Sequence, residues 1–332
     1  MDAPAGEADD DIESDVDLGG DGRQHGWLAR ARPSARPSAH PSAHPFARPS
    51  GDPSDRRTSR SAARANATLD RARLPLTVLR RGAGPLFLLV GGDGGGSGSL
   101  ALRRLARELD PATLAGTVVI VPDAPREAIG AIVRSLGGTA DTLLEVADAP
   151  PGIGFSPMAA IVTDTTDDVR ARSEAAMIAF GAPESVRFAS VLAPGALDDG
   201  SATGAAHVVA TIDGGVPIAE AIDVALVGCR NVLAAGGALD APLALRATRT
   251  LAVRDANACL HAPTHGLLEL RAGPGRQVYR GDPLALVVDP TRNGTEPVVV
   301  RVPYDGVVLA ARTGVHVRCG DCIAIVADEM PR

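Results

Sequence analysis

Residues 84–109 read GPLFLLVGGDGGGSGSLALRRLAREL, and this stretch decides the fold. The apolar run at residues 86–90 is typical of a buried strand, and the glycines that follow end it. The apolar residues of SLALRRLAREL have the spacing of a helix, and GTVVIV at residues 116–121 has the pattern of a second strand. Strand, helix and strand in this order predict a crossover unit in a parallel or mixed sheet.

The segments that follow continue this alternation. DDVRARSEAAMIAF is predicted to be a helix that Gly181 and Pro183 stop, and Asp167 and Asp168 at its start favour the helix dipole. AAHVVAT then has the pattern of a strand, and IAEAIDVALVGCRNVLAA that of a helix ended by glycine. Residues 71–248 are therefore predicted to form an α/β domain.

The C-terminal segment, residues 249–332, repeats itself. HAPTHGLLELRAGPGRQVYRGDPLALVVD and RVPYDGVVLAARTGVHVRCGDCIAIVAD share a Pro-x-x-Gly turn, an apolar strand, a Val before Gly-Asp and a final apolar strand. Neither half is long enough to close a core alone, so the two are predicted to pack into a small all-β domain. The pattern resembles the biotinyl/lipoyl fold.

Residues 1–70 have a different composition. An acidic block precedes ARPSARPSAHPSAHPFARPS, in which proline recurs every fourth residue. Such a segment buries too little apolar surface to offset its ordering entropy, so it is predicted to be a disordered tail. An interaction arm is the alternative.

Composition excludes several functions. Every Lys or Arg position is arginine, so the chain has no P-loop lysine, no Schiff-base lysine and no lysine for biotin or lipoyl attachment. A net charge of −7 gives no support for nucleic-acid binding. No apolar run is long enough to span a membrane, and the acidic N-terminus lacks the features of a secretory signal. Four dispersed cysteines suit a reducing compartment, so the predicted location is the cytoplasm.

The glycine cluster at residues 91–101 allows a nucleotide-binding interpretation. Gly96, Gly98 and Ala101 match G-x-G-x-x-A between a strand and a helix, and Asp123 follows the next strand. A glycine-rich segment matches many such patterns by chance, and the distance to Asp123 is longer than the motif expects. Nucleotide binding therefore stays an alternative.

A second comparison covers residues 74–329, which resemble the succinylglutamate desuccinylase/aspartoacylase family and its N-acetyl-diaminobutyrate deacetylase branch. The resemblance implies a carboxypeptidase-like mixed sheet with helices. It also implies an activity, the hydrolysis of the amide bond of an N-acylated amino acid. In the family this reaction uses one zinc ion, with a glutamate as the general base. The stretches that carry it, in the family's order, are GPLFLLVGG, LAGTVVIVP, AFGAP, GCRNVLAAGG, HAPTHGLLE, EPVVVRVPYDGVV and GDCIAIVA.

The family's zinc ligands have no counterparts at the matching positions. The first His and the Glu of the family's metal loop correspond to Gly94 and Ser97. In the later Asp-Leu-His motif, Glu145 stands at the Asp and Ala147 at the His. Glycine and alanine offer no donor atom, and a serine hydroxyl is a poor zinc ligand.

The general base and the substrate segment also differ from the family. Ile212 stands at the base position, although Asp213 beside it keeps a carboxylate. The family's long segment with its substrate-binding arginine is absent after residue 125. Arg126 and Arg134 flank the junction and are candidates for an anion contact, with ordinary surface arginines as the alternative.

A relocated metal site would draw on His261, His265, Cys319 and Cys322, because C-x-x-C is a ligand spacing. One such pair is not sufficient for a structural zinc site, and Cys322 begins an apolar strand. His207 lies in a strand and is predicted to be a satisfied core residue rather than a base.

The sequence thus predicts a catalytically inactive relative of the zinc-dependent deacylases with a binding or regulatory role and no bound cofactor. A homo-oligomer or association with an active paralogue would suit that role. One alternative is an active hydrolase with displaced zinc ligands. The other is a nucleotide-binding protein.

Overall fold

The computed structural model describes residues 12–30, 73–92, 96–125, 132, 136, 140–149, 152–189, 204–212, 216–292 and 294–331. Its helices are α1 (Ser97–Glu108), α2 (Asp167–Phe180) and α3 (Ile218–Ala235). The strands of the N-terminal two thirds are β1 (Ile12–Ser14), β2 (Gly22–Arg30), β3 (Leu74–Arg81), β4 (Leu86–Gly91), β5 (Gly116–Val121), β6 (Thr142–Ala147), β7 (Ile153–Phe155), β8 (Met158–Val162), β9 (Glu184–Phe188), β10 (Ala206–Thr211) and β11 (Arg249–Val253).

The remaining strands are β12 (Cys259–His261), β13 (Gly266–Leu270), β14 (Gln277–Val278), β15 (Pro283–Val288), β16 (Val298–Arg301), β17 (Gly306–Arg312), β18 (His316–Val317) and β19 (Cys322–Glu329). The fold is a mixed α/β fold with one large mixed sheet and few helices, as predicted. Along this sheet the strand order is β1-β2-β3-β5-β4-β6-β10-β8-β9-β11-β19-β17-β14.

The predicted crossover unit forms the centre of the sheet. β4 pairs in parallel with β5 on one side and with β6 on the other, and α1 connects β4 to β5. Phe87 and Leu89 of β4 pack toward the helices, whereas Leu88 and Val90 pack into the core on the other face. Both faces of this strand are buried, which explains its continuous apolar run.

The helices lie side by side in one layer, with α3 contacting both α1 and α2. α2 ends where the sequence predicts, because its C-cap residue Gly181 has a left-handed backbone with φ 70°. Within the described part of the chain, no helix is long and apolar enough to cross a membrane.

Part of the predicted tail is folded. Residues 12–30 form a hairpin in which β2 pairs antiparallel with β3, from Gly22 opposite Arg80 to Leu28 opposite Leu74. The disorder prediction is therefore wrong for this segment, because composition averaged over 70 residues hides one strand that gains partners from the sheet edge. Residues 1–11 and 31–72 lie outside the described part of the chain.

The boundary predicted at residue 248 does not separate two sheets. β11, the first strand after it, pairs in parallel with β9 of the α/β part and antiparallel with β19. In return, β7 from the α/β part pairs with β17. A second, four-stranded sheet has the order β16-β15-β13-β18.

The internal repeat of the C-terminal segment is visible in its hydrogen bonds. The Gly281 N–H donates to the Val302 carbonyl at 2.8 Å. At the equivalent place in the other half, the Gly320 N–H donates to the Ala262 carbonyl at 2.9 Å. Each Gly-Asp turn therefore binds the strand that enters the opposite half, so neither half closes its turns alone.

Candidate functional site

The C-terminal ends of β4, β6 and β10 lie side by side and define the candidate site. Gly91 is in register with Val146, and Val146 with Ala210. The glycine loop, the start of α1 and the segment after β6 therefore meet at one edge of the sheet, where open α/β sheets bind ligands.

The start of α1 is held by a carboxylate from the neighbouring strand segment. Gly96, the N-cap residue, supplies no side-chain cap. Instead, Oδ1 of Asp148 accepts a hydrogen bond from the Gly98 N–H at 3.1 Å. Negative charge is favourable at a helix N-terminus, where N–H groups lack intrahelical partners. Asp148, the residue after β6, thus does what a Ser or Asp at the N-cap position would do.

Close approach explains two of the loop glycines. A Cβ on Gly96 would collide with the Asp148 carboxylate, and one on Gly98 would collide with the Val146 carbonyl. Both glycines have structural work where α1 meets the end of β6. Nucleotide binding is not needed to explain them.

The groups that a dinucleotide would bind already have partners within the protein. A phosphate at the start of α1 would use the N–H of Gly98, which Asp148 already binds. Asp123, the expected ribose ligand, forms an ion pair with Arg103 of α1.

Two of the positions that match the family's catalytic residues are neighbours at this edge, where the Ile212 N–H donates to the Ala147 carbonyl at 3.4 Å. Ser97 is 4% exposed as the first residue of α1, and Ala147 ends β6 opposite Thr211. Ile212 is fully buried and packs with Val208 and Ala210 under the helices. Gly94, Asp213, Arg126 and Arg134 lie outside the described residues.

The described side chains at this edge do not fit a zinc ion. A catalytic zinc is held by imidazole and carboxylate donors with one open position. The described residues of the edge supply carboxylates, Asp148 among them, but no imidazole. Across the described ranges, no group of three or more His, Cys, Asp or Glu side chains could hold a metal ion.

The two histidines and two cysteines of the C-terminal segment come close without forming a ligand set. His261 is opposite Cys322 across β12 and β19. The Nδ1 atom of His265 accepts a hydrogen bond from the Cys319 backbone N–H at 3.2 Å. This nitrogen is therefore bound to the backbone and is not available to a metal ion. Burial raises the pKa of the Cys322 thiol to about 11, with the neighbouring Cys259 adding to the shift.

His207 lies at the other end of β10, paired with Leu143 and away from the site edge. Its side chain is buried, and within the described structure neither ring nitrogen has a hydrogen-bond partner. Burial therefore lowers the pKa of the imidazole to about 4. The prediction of a core histidine holds, but the histidine is not satisfied.

Asp167 and Asp168 are also explained by local structure. They lie in the first turn of α2 and pair with Arg170 at 2.5 Å and Arg172 at 3.0 Å. Both carboxylates are exposed, so the two serve the helix start and not acid–base chemistry.

In fold and in sequence the chain is similar to α/β proteins of the succinylglutamate desuccinylase/aspartoacylase type. The EutE (DoeB) ectoine utilization protein from Ruegeria pomeroyi matches with a TM-score of 0.77 and 25% identity in its product-bound structure, over 96% of this chain and 99% of that chain. A succinylglutamate desuccinylase from Silicibacter sp. TM1040 has the same fold, with a TM-score of 0.76 and 24% identity over 98% and 100% of the two chains.

A curated sequence relative is an N-alpha-acetyl-L-2,4-diaminobutyric acid deacetylase from Halomonas elongata. It is 29% identical over 293 residues, which cover 77% of this chain and 85% of that protein. No family model matches the chain. The comparisons confirm the resemblance to the succinylglutamate desuccinylase/aspartoacylase family and its N-acetyl-diaminobutyrate deacetylases.

Proposed function

We propose that this chain is a catalytically inactive relative of the N-acyl-amino-acid deacylases that retains the scaffold for a binding or regulatory role. The observation that carries the proposal is the pair formed by Asp148 and Gly98. In the family, the segment at the end of β6 carries the last zinc ligand. In this chain, the same segment packs against α1, the helix that follows the position of the metal loop.

The chemistry of the substituted positions supports the same conclusion. Ala147 and Gly94 have no donor atoms, and the Ser97 hydroxyl lies in a buried helix start. Ile212, in place of the base, is part of the apolar core and cannot take a proton from water. Each loss alone would impair a zinc hydrolase, and together they remove its ligands and its base.

The role that remains is association with another chain, either a second copy or an active relative. The sheet, the helix layer and the C-terminal strands supply a large ordered surface without the family's chemistry. We also propose that β12 to β19 form a module of the biotinyl/lipoyl type, which the repeated Gly-Asp turns support. Without a lysine to modify, that module would be structural.

Elemental analysis of the purified protein tests the proposal directly. We expect much less than one zinc ion per chain. We also expect no chelator-sensitive hydrolysis of N-acetyl-diaminobutyrate. A positive control restores the family's residues together as Gly94→His, Ser97→Glu, Ala147→His and Ile212→Glu, and should bind zinc more tightly than the natural sequence. Stoichiometric zinc with chelator-sensitive turnover in the natural sequence would overturn the proposal.

Substituting His261, His265 and Cys319 by alanine tests the alternative of displaced ligands. If the natural protein holds zinc and these variants lose it, the chain is a metalloenzyme with a relocated site. If zinc is absent from the natural protein and from the variants, the proposal of a catalytically inactive relative is supported.

A further inference from the structure

A groove of about 620 Å³ runs between α1 and β2, beside the outer strands of the sheet. Its floor is formed by residues 25–27 of β2 and residues 75–77 of β3, and its wall by α1. The groove depends on the N-terminal hairpin. It lies apart from the ends of β6 and β10 and does not depend on the proposed function.

The wall of the groove has a defined order of side chains. Leu100, Arg103 and Arg107 are spaced three and four residues apart, so they lie along one face of α1. The distance from the first to the last along the helix axis is about 10 Å. The groove therefore presents an apolar residue at one end and guanidinium groups toward the other.

The floor adds an aromatic surface. Trp27, the only tryptophan of the chain, is 45% exposed in this groove, and Leu100 on the facing wall is 47% exposed. Two large apolar side chains left open on opposite sides of one groove indicate surface that a ligand would cover. His25 beside them is fixed by its Nδ1, which lies 3.0 Å from the Thr77 hydroxyl.

The charges along the wall are not equivalent. The Arg103 guanidinium is paired with Asp123, whereas the described part of the structure contains no ion pair for the Arg107 guanidinium. At the last turn of α1, the Arg23 guanidinium donates to the Arg107 and Leu109 carbonyls, at 3.2 Å and 2.5 Å. The free positive charge of the groove is thus at Arg107, on the wall across from the hairpin.

From this arrangement we infer that the groove binds a small anion with an aromatic body, whose ring packs between Trp27 and Leu100 and whose acidic group pairs with Arg107. Arginine binds carboxylates and sulfonates with charge-assisted hydrogen bonds, and indole offers a flat face to an aromatic ring. The length of the wall suits a molecule of two or three fused or linked rings.

Tryptophan emission gives a direct test, because Trp27 is the only source of indole fluorescence. The full chain is titrated with anilinonaphthalene sulfonate and, separately, with phenylnaphthylamine, which has the same rings and no acidic group. We expect saturable quenching of Trp27 by the sulfonate and at least about fivefold weaker binding of the neutral dye.

Two variants separate the groove from other apolar surface. Arg107→Ala should weaken sulfonate binding about fivefold and leave the neutral dye unchanged. Arg104→Ala is the matched control on the same helix, because Arg104 pairs with Glu108 and Asp223 outside the groove. Circular dichroism checks that both variants fold. Binding without saturation, or equal sulfonate affinity in the natural chain and Arg107→Ala, would overturn the inference.

Discussion

Oδ1 of Asp148 lies 3.1 Å from the Gly98 backbone nitrogen, so the end of β6 caps the helix that begins after β4. Two elements 50 residues apart in sequence are therefore tied at the edge where the family places its metal. The carboxylate accepts a hydrogen bond from an N–H group that has no partner within the helix, so the contact stabilises the fold.

Asp148→Ala should lower the free energy of unfolding by about 1 kcal/mol, the usual cost of losing an N-cap side chain. Asp148→Asn keeps an oxygen acceptor for the Gly98 N–H and should cost less than Asp148→Ala, although it loses the interaction of charge with the helix dipole. Urea denaturation of the three proteins measures both changes. Equal stability of the natural chain and Asp148→Ala would show that the contact does not hold α1.

Gly96→Ala should lower the free energy of unfolding by about 1 kcal/mol, because its Cβ would collide with the Asp148 carboxylate and displace it from the Gly98 N–H. Gly273→Ala is the control, since nothing lies within 4 Å of a Cβ there. Thermal denaturation compares the two. In the double variant with Asp148→Ala the cost of Gly96→Ala should shrink, and strict additivity would contradict the collision.

Arg249→Met should destabilise the protein by about 3 kcal/mol, because it leaves the Glu184 carboxylate buried without its partner. The pair is bidentate, at 3.1 Å and 2.5 Å, and the same guanidinium donates to the Gly275 carbonyl at 2.9 Å. Arg249 therefore joins β9 to β11 and both to the C-terminal strands.

The exposed pair of Arg254 and Asp328 provides the comparison for Arg249. Arg254→Met should cost under about 1 kcal/mol, as surface pairs do. Guanidinium denaturation measures both variants. Equal losses in the two would mean that burial of Glu184 has no energetic consequence.

The free energy of unfolding should fall as the pH drops from about 6.5 to about 4, the interval between the ordinary pKa of histidine and the pKa of His207 in the folded protein. The folded pKa is about 4 against an ordinary 6.5, so the unfolded chain takes up a proton at a pH where the folded chain does not. The folded state is then favoured fully above about pH 6.5 and loses up to about 3 kcal/mol as the pH falls toward 4.

His207→Leu should remove this contribution and raise stability near neutral pH by about 1 kcal/mol, because an unsatisfied buried polar group is lost. His316→Gln, at an exposed position, is the control substitution of a histidine. Urea denaturation at several pH values tests both. A natural chain and a His207→Leu variant with parallel pH profiles would contradict the buried histidine.

Much of the fold follows from local pattern. The apolar run before Gly91 and the helical spacing in α1 have periods that the sequence displays directly, and Gly181 marks the end of α2 because only glycine adopts its backbone easily. The repeat in the C-terminal segment is likewise visible in the sequence, because the same turn residues recur in both halves.

The hairpin of residues 12–30 could not be predicted in this way. Among the residues of GRQHGWLAR whose burial the structure describes, only Leu28 is buried, and the exposed His25 and Trp27 line the groove. An edge strand of this kind forms because β3 offers it hydrogen bonds, and no local period signals it.

At the candidate site, the sequence by itself determined what is missing, since Gly94, Ala147 and Ile212 have no side-chain donor atom, and Ser97 has no carboxylate, in any conformation. Only the tertiary structure decided what the remaining residues do. Asp148 faces Gly98 because parallel pairing sets the ends of β4 and β6 side by side, a contact across 50 residues that no local pattern encodes.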